Sequence, residues 1–231
     1  MNASDIMTAP VITVGPDTAV RHIARLLYEH RISAVPVVEN AKLVGIVSEA
    51  DLLHRHEIGT DHNARTSSWW LQLLSADRSV TDYVKSHATH ARDIMTKEVV
   101  SVSPDASIAE IANLLEKRGV KRVPVVHDKR VVGIVSRSNL VQALAIKGRS
   151  INTGDSGDGA IRKRLLAELE AQSWWRAEMS NVIVTDGVVH YFGSVESDQL
   201  RQAARVAAEN VPGVRSVEDH RVPLSALTWS V

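Results

Sequence analysis

The stretch Val35-Pro36-Val37-Val38-Glu39-Asn40-Ala41-Lys42-Leu43-Val44-Gly45-Ile46-Val47-Ser48-Glu49-Ala50-Asp51-Leu52 decides how this chain is read, because it returns 88 residues later. The second copy runs Val123-Pro124-Val125-Val126, then Val132-Gly133-Ile134-Val135-Ser136-Arg137-Ser138-Asn139-Leu140. The same offset carries Asp5-Ile6-Met7-Thr8 onto Asp93-Ile94-Met95-Thr96 and Pro16-Asp17 onto Pro104-Asp105. Of the 50 ungapped positions from 5–54 to 93–142, 22 are identical, which marks a duplication. Solenoids stack three or more copies with periods of roughly 20–50 residues. Two copies at this longer spacing predict two similar units packing as a pair.

Each copy opens with an apolar alternation, Val11-Ile12-Thr13-Val14 or Val99-Val100-Ser101-Val102, stopped by Pro16 or Pro104. Such runs predict short strands or extended segments. Apolar residues then recur at spacings of three and four, at Val20, Ile23, Ala24, Leu26 and Leu27 and again at Ile108, Ile111, Ala112, Leu114 and Leu115, the period of a helix. Ser107 and Glu110 have the spacing of a capping box. Copy one lacks that glutamate, which leaves Asp17 or Thr18 to cap its helix. Val35–Val38 and Leu43–Val47 predict strands joined by a short polar hairpin connection. Helices are expected over Glu49–His54 and Arg137–Ala145. Each copy therefore reads strand, helix, strand, strand, helix. About fifty residues bury too little apolar surface to stand alone, so the two sheets are expected to pair.

Charge and composition narrow the function. The 231 residues carry 27 basic and 27 acidic side chains, a net charge of +0. Coating nucleic acid needs a basic excess or face, so no nucleic-acid partner is expected. There is no cysteine, which excludes disulfides and thiolate chemistry and is compatible with a reducing cytosol. No basic and apolar leader opens the sequence, and no apolar run reaches the roughly 18 residues of a membrane span. The expected location is cytoplasmic, or peripheral to a membrane.

Residues 57–91 separate the copies, assigned to 1–56 and 92–147, and contain Trp69-Trp70-Leu71-Gln72-Leu73-Leu74. This tryptophan pair reads as packing or as a partner surface. Residues 148–159, rich in glycine, serine and aspartate, predict a flexible linker. A separate small α+β unit follows over 160–225: a helix at Ile161–Ala171, a hairpin closed by Asp186-Gly187, a helix at Ser197–Asn210, and a last strand at Val214–Glu218.

The doubled Asp-Ile-Met-Thr opening, the Val-Pro-Val-Val strand and the Gly-Ile-Val-Ser-x-x-Asp/Asn run resemble tandem cystathionine-β-synthase (CBS) domains, the pair called a Bateman module. The tail is similar to a BON domain through Val182-Ile183-Val184, Asp186-Gly187-Val188-Val189, Phe192-Gly193-Ser194-Val195 and Val211-Pro212-Gly213-Val214. The implied fold class is α+β: two CBS repeats of β-α-β-β-α order forming a pseudo-twofold pair, plus a small BON-like domain.

The CBS resemblance implies clefts that take adenosine compounds, namely AMP, ADP, ATP or S-adenosylmethionine. Ser48 stands where a strand gives way to a helix, so its hydroxyl and the first amides are placed to meet a phosphate. Asp51, one turn on, fits the family's ribose clamp. Thr96, Val100, Val120, Lys121 and Arg122 are implied to complete this cleft, with the two cations favouring a phosphorylated ligand. Thr8, Ile12, Ile32, Ser33, Ser136 and Asn139 are implied to form the second cleft. There an uncharged amide replaces the carboxylate and holds ribose less firmly. The plainer reading of Ser48 and Asp51 is a helix start, with serine as cap and aspartate in the first turn.

His54, His56, His62, His87 and His90 match no metal-ligand spacing and read as surface residues. The glycine-rich run at 154–159 follows no strand and reads as linker rather than phosphate loop. No acid, base, nucleophile and metal set is legible, so the chain is expected not to be an enzyme and to require no cofactor. Trp174 and Trp175 read as packing over the tail's sheet, or as contacts to the phospholipid surface with which BON domains have been linked. Two functional readings stand. One is a homodimeric regulatory sensor of an adenosine nucleotide that relays through the BON domain to a membrane surface or protein. The other is a structural dimerisation adaptor with empty clefts, whose BON domain docks on phospholipid or protein.

Overall fold

The chain's architecture, taken from a computed structural model that describes residues 1–53, 87–147 and 156–227, is built on two near-identical hairpins. Strand β1 (Ala34–Glu39) pairs antiparallel with β2 (Lys42–Ser48), and β3 (Arg122–His127) with β4 (Arg130–Ser136). Their two-residue turns, Asn40-Ala41 and Asp128-Lys129, adopt positive φ at both positions, matching strand twist as type I′ turns do. Both hairpins slip register at the same place, Val37/Val38 and Val125/Val126. The duplication therefore extends to backbone irregularities.

The compact units do not follow the sequence copies. One comprises Ile12–Val99, the other Met1–Val11 with Val100–Val231. In the first, helix α2 (Val20–Glu29) buries Val20, Ile23 and Leu27 against Val35, Val37 and Val47. Val14 adds a parallel bridge to Val37 on one edge, so the expected opening strand is reduced to a single bridge. The other edge of β2 is covered by copy two's opening, where Thr96 exchanges hydrogen bonds with Ile46, 2.9 and 3.0 Å. That segment contains the short helix α4 (Ala91–Ile94), whose Ala91 and Ile94 enter the same core.

The larger unit repeats this arrangement. Thr8 pairs with Ile134 on β4, and the short helix α1 (Ala3–Ile6) buries Ala3 and Ile6 against α5 (Ile108–Lys117) and β3. The seating bonds recur at the same offset of 88. Ala3 and Ser4 donate to the carbonyls of Ala106 and Pro104, as Ala91 and Arg92 do to Thr18 and Pro16. Each opening thus completes the other copy's hairpin.

The two long helices start differently. Ser107 caps α5 reciprocally with Glu110, as its sequence predicts. Copy one uses neither candidate cap. Asp17 pairs with Arg92, Thr18 Oγ1 accepts from Gly15, and the first α2 amide, at Val20, donates to the Thr89 carbonyl at 2.8 Å. An incoming main chain replaces the missing side-chain cap.

Helix α3 (Glu49–Leu52) follows β2, and α6 (Arg137–Lys147) follows β4. Next comes α7 (Ser156–Glu170). The linker expected over 148–159 therefore ends early, because 156–159 are helical and Asp158 accepts from the turn amides of Asp186 and Gly187 at 2.7 and 2.8 Å. The hairpin β5 (Ser180–Thr185) and β6 (Val188–Val195), then α8 (Asp198–Glu209), β7 (Ser216–Asp219) and β8 (Val222–Pro223) complete the tail. A last short helix, α9 (Leu224–Leu227), follows. Strands β7 and β8 both run parallel to β6.

Strand alternation gives the tail's sheet two buried faces. Val182, Val184, Val189 and Tyr191 meet α7 and α8. Ile183 and Phe192, on the other face, join the core of Ile6, Ile111, Val123 and Ala143. Trp175 is buried edge-on to Tyr191, ring centroids 6.0 Å apart, so this tryptophan packs the tail. Trp69-Trp70, and His54, His56 and His62, lie outside the described residues.

Candidate functional site

Sequence puts a serine at the end of each second hairpin strand and a carboxylate or amide three residues later. The structure joins them in both units. Asp51 Oδ2 accepts from the Ser48 amide at 2.9 Å and its hydroxyl at 2.8 Å. Asn139 Oδ1 accepts from the Ser136 amide at 2.8 Å and its hydroxyl at 2.6 Å. The helix-start reading is realised at both places, with Asp51 satisfying the amide ahead of its own helix.

The two pairs differ in what surrounds them. The Asn139 Nδ2 donates to the Ile6 carbonyl at 3.1 Å and to Thr8 Oγ1 at 3.3 Å, and the residue is only 4% exposed. With two bonds accepted and two donated, its amide capacity is filled. A carboxylate here would set an acceptor against the Ile6 carbonyl, a clash that asparagine avoids. The weaker ribose contact expected of Asn139 is not favoured by this environment, since its polar atoms hold Thr8 and α1 in place. Asp51, the carboxylate of the two, is half-buried.

Of the first expected set, Ser48, Asp51 and Thr96 lie in the smaller unit, with Thr96 bridged to Ile46, two residues before Ser48. Val100, Val120, Lys121 and Arg122 belong to the larger unit. There Val100 and Val120 border the core, Arg122 stands opposite Ser136 in the hairpin register, and the Lys121 carbonyl accepts from Arg137 at 3.1 Å. Of the second set, Thr8, Ser136 and Asn139 come together in the larger unit. Ile12 and Ile32 border the smaller unit's core, and the Ser33 carbonyl accepts from the Glu49 amide at 3.1 Å.

Sequence reading missed the polar seam that fixes the tail. Arg162 is buried and spans three carbonyls: Nε donates to Val182 at 2.8 Å, and its terminal nitrogens to Ser4 at 2.9 Å and Met7 at 2.6 Å. Burial lowers its pKa to about 10, opposed by the negative charge of Asp5, so it is charged at neutral pH. Asn181 Nδ2 donates to the Ile6 carbonyl at 3.1 Å and to Gln142 at 2.9 Å. The Ile6 carbonyl therefore accepts from Asn139 and from Asn181. The signal that sequence offers is the spacing of Arg162 three, four and seven residues ahead of Leu165, Leu166 and Leu169, on the apolar face of the helix.

The family comparisons agree with this architecture. The CBS domain model matches residues 3–57 and 91–146, and the BON domain model residues 157–221. Uncharacterized protein MJ1426 of Methanocaldococcus jannaschii is 33% identical over 154 residues, spanning 62% of this chain and 91% of that protein. CBS domain-containing protein CBSX2, chloroplastic, of Arabidopsis thaliana is 30% identical over 149 residues, 61% of each chain. The crystal structure of CBSX2 in complex with AMP matches with a TM-score of 0.54 and 28% identity, covering 64% of this chain and 99% of that one. With both hairpin units and the tail accounted for, the chain belongs to the CBS-domain proteins and carries a CBS domain pair followed by a BON domain.

Proposed function

We propose that the protein is a non-catalytic regulatory protein whose CBS pair senses an adenine nucleotide, with Ser48, Asp51 and Thr96 forming the sugar- and phosphate-facing side of the site. The observation that carries this is the placing of Asp51, a half-buried carboxylate bonded to Ser48 at the carboxyl end of β2, where the matching residue of copy two is the buried amide of Asn139. Similarity to a CBS protein crystallised with AMP supports the ligand class. The segment 1–8 is the proposed relay, since it is bonded to Asn139 and to the BON domain through one shared carbonyl. A ligand shifts such packing only by its differential affinity for two states. Homodimerisation through the CBS pair belongs to the same proposal.

Calorimetry of the full chain with AMP, ADP, ATP and S-adenosylmethionine tests it. Binding of at least one is expected, weakened at least about tenfold by Asp51→Ala, the loss of one charge-assisted hydrogen-bonding group. Absence of heat with all four, or equal affinity in the variant, removes the reading.

A second reading, a dimerisation adaptor with empty clefts, is favoured by the engagement of Asp51 as a helix cap. Vesicle co-sedimentation of the full chain separates the two. The adaptor binds vesicles irrespective of nucleotide.

A further inference from the structure

His190, Glu218 and His220 converge on one point of the BON sheet. Register brings them there: His190 on β6 is paired with Glu218 on β7, and the His220 amide donates to the Tyr191 carbonyl at 2.8 Å, turning its ring back over the sheet. The ring of His220 stacks on Phe192 at 4.8 Å and lies within 11° of the plane of His190. Packing thus fixes both imidazoles.

We propose that this cluster is a zinc-class cation site with His190 Nδ1, His220 Nε2 and Glu218 Oε2 as ligands. The three atom pairs are 3.3, 3.6 and 3.4 Å apart. Bonds of about 2.0–2.2 Å at tetrahedral angles put donor atoms about 3.3–3.6 Å apart. A six-coordinate facial set, with right angles between bonds of similar length, would bring them to about 3.0 Å. The spacing fits a four-coordinate ion better than a six-coordinate one, with one position left for water or an incoming side chain. Two nitrogens and one carboxylate suit zinc rather than calcium or magnesium, which prefer all-oxygen shells. His190 is 6% exposed, whereas Glu218 and His220 are each 37% exposed, so the site is anchored from below and open to entry from solvent.

The site would tie the short strand β7 to β6, beside Phe192 on the face that packs against the amino-terminal segment. A bound cation would then stiffen that docking face. The competing account of the same geometry is a hydrogen bond between two neutral imidazoles, which needs no ion.

Cobalt(II) titration of the full chain, purified free of metal, distinguishes them. The intense visible absorption of tetrahedral cobalt is expected to saturate at one equivalent and to vanish on adding zinc. His220→Ala, at an exposed position compatible with folding, is expected to abolish the band. His127→Ala, at an exposed histidine of the β3–β4 turn, is expected to leave it unchanged, which controls for the protein's other histidines. A band of equal strength in His220→Ala, or only weak absorption in the unsubstituted protein, overturns the proposal.

Discussion

At position 139 one atom pair separates two chemically similar residues. Asparagine donates where aspartate cannot, and two acceptors, the Ile6 carbonyl and Thr8 Oγ1, wait there. The sequence showed the Asp/Asn difference between copies but not its cause, because the acceptors lie 131 and 133 residues away. The cap at Ser107 was fully legible, since all its partners are within three residues. There the Ser107 amide and then its hydroxyl hold the Glu110 carboxyl below its ordinary value of 4.5, against a small opposing effect of burial. A depressed carboxyl pKa contributes stability that is present above the unfolded-state value and lost as pH falls through the folded one. Glu110→Gln removes that titration. The urea midpoint of the native protein should exceed the variant's at neutral pH, and the gap should close as pH falls below 4.5. A gap independent of pH would mean the carboxylate's charge contributes nothing to the cap.

Among the elements, the hairpins were readable and their completion was not. Alternation, the Val-Pro-Val-Val run and the polar turns defined β1–β4 to within a residue or two. The edge partners, Thr96 on β2 and Thr8 on β4, come from the opposite copy, and two copies with the same opening motif carry no local signal for such an exchange. Glycine makes the exchange possible. A methyl at Gly45 would run into the Met95 side chain, and one at Gly133 into Met7, the methionines of the exchanged openings. Gly45→Ala should therefore cost about 1–3 kcal/mol, the usual range for overfilling a packed site, measured by chemical denaturation. Met95→Ala in the same chain should relieve part of that cost by clearing the collision. A Gly45→Ala protein as stable as its parent would show that the opening is not pressed onto β2.

For the molecule as a whole, the decisive group is Arg162, which joins α7, β5 and the amino-terminal segment within the larger unit. Arg162→Met keeps the aliphatic stem and strands three carbonyls. Hydrogen bonds to a charged donor are worth about 1.5–3 kcal/mol each where their loss leaves a buried partner unpaired. Because the carbonyls relax together, a total loss of about 2–4 kcal/mol is expected, with faster amide hydrogen exchange at Ala3–Met7. Unchanged exchange there would mean that the apolar contacts of Ile183 and Phe192 suffice to hold the BON sheet. The sequence by itself determined the duplication, the α+β class, the hairpins and their turns, and the order of helices and strands in the tail. All of these follow from periodicity and pairing over a few residues, where backbone and solvent dictate the outcome. Only the tertiary structure decided that the openings exchange partners, that Asn139 is buried against α1 while Asp51 stays half-buried, and that His190, Glu218 and His220 meet. These depend on contacts between residues far apart in the chain, and no local pattern encodes which distant acceptor or ligand a side chain will find.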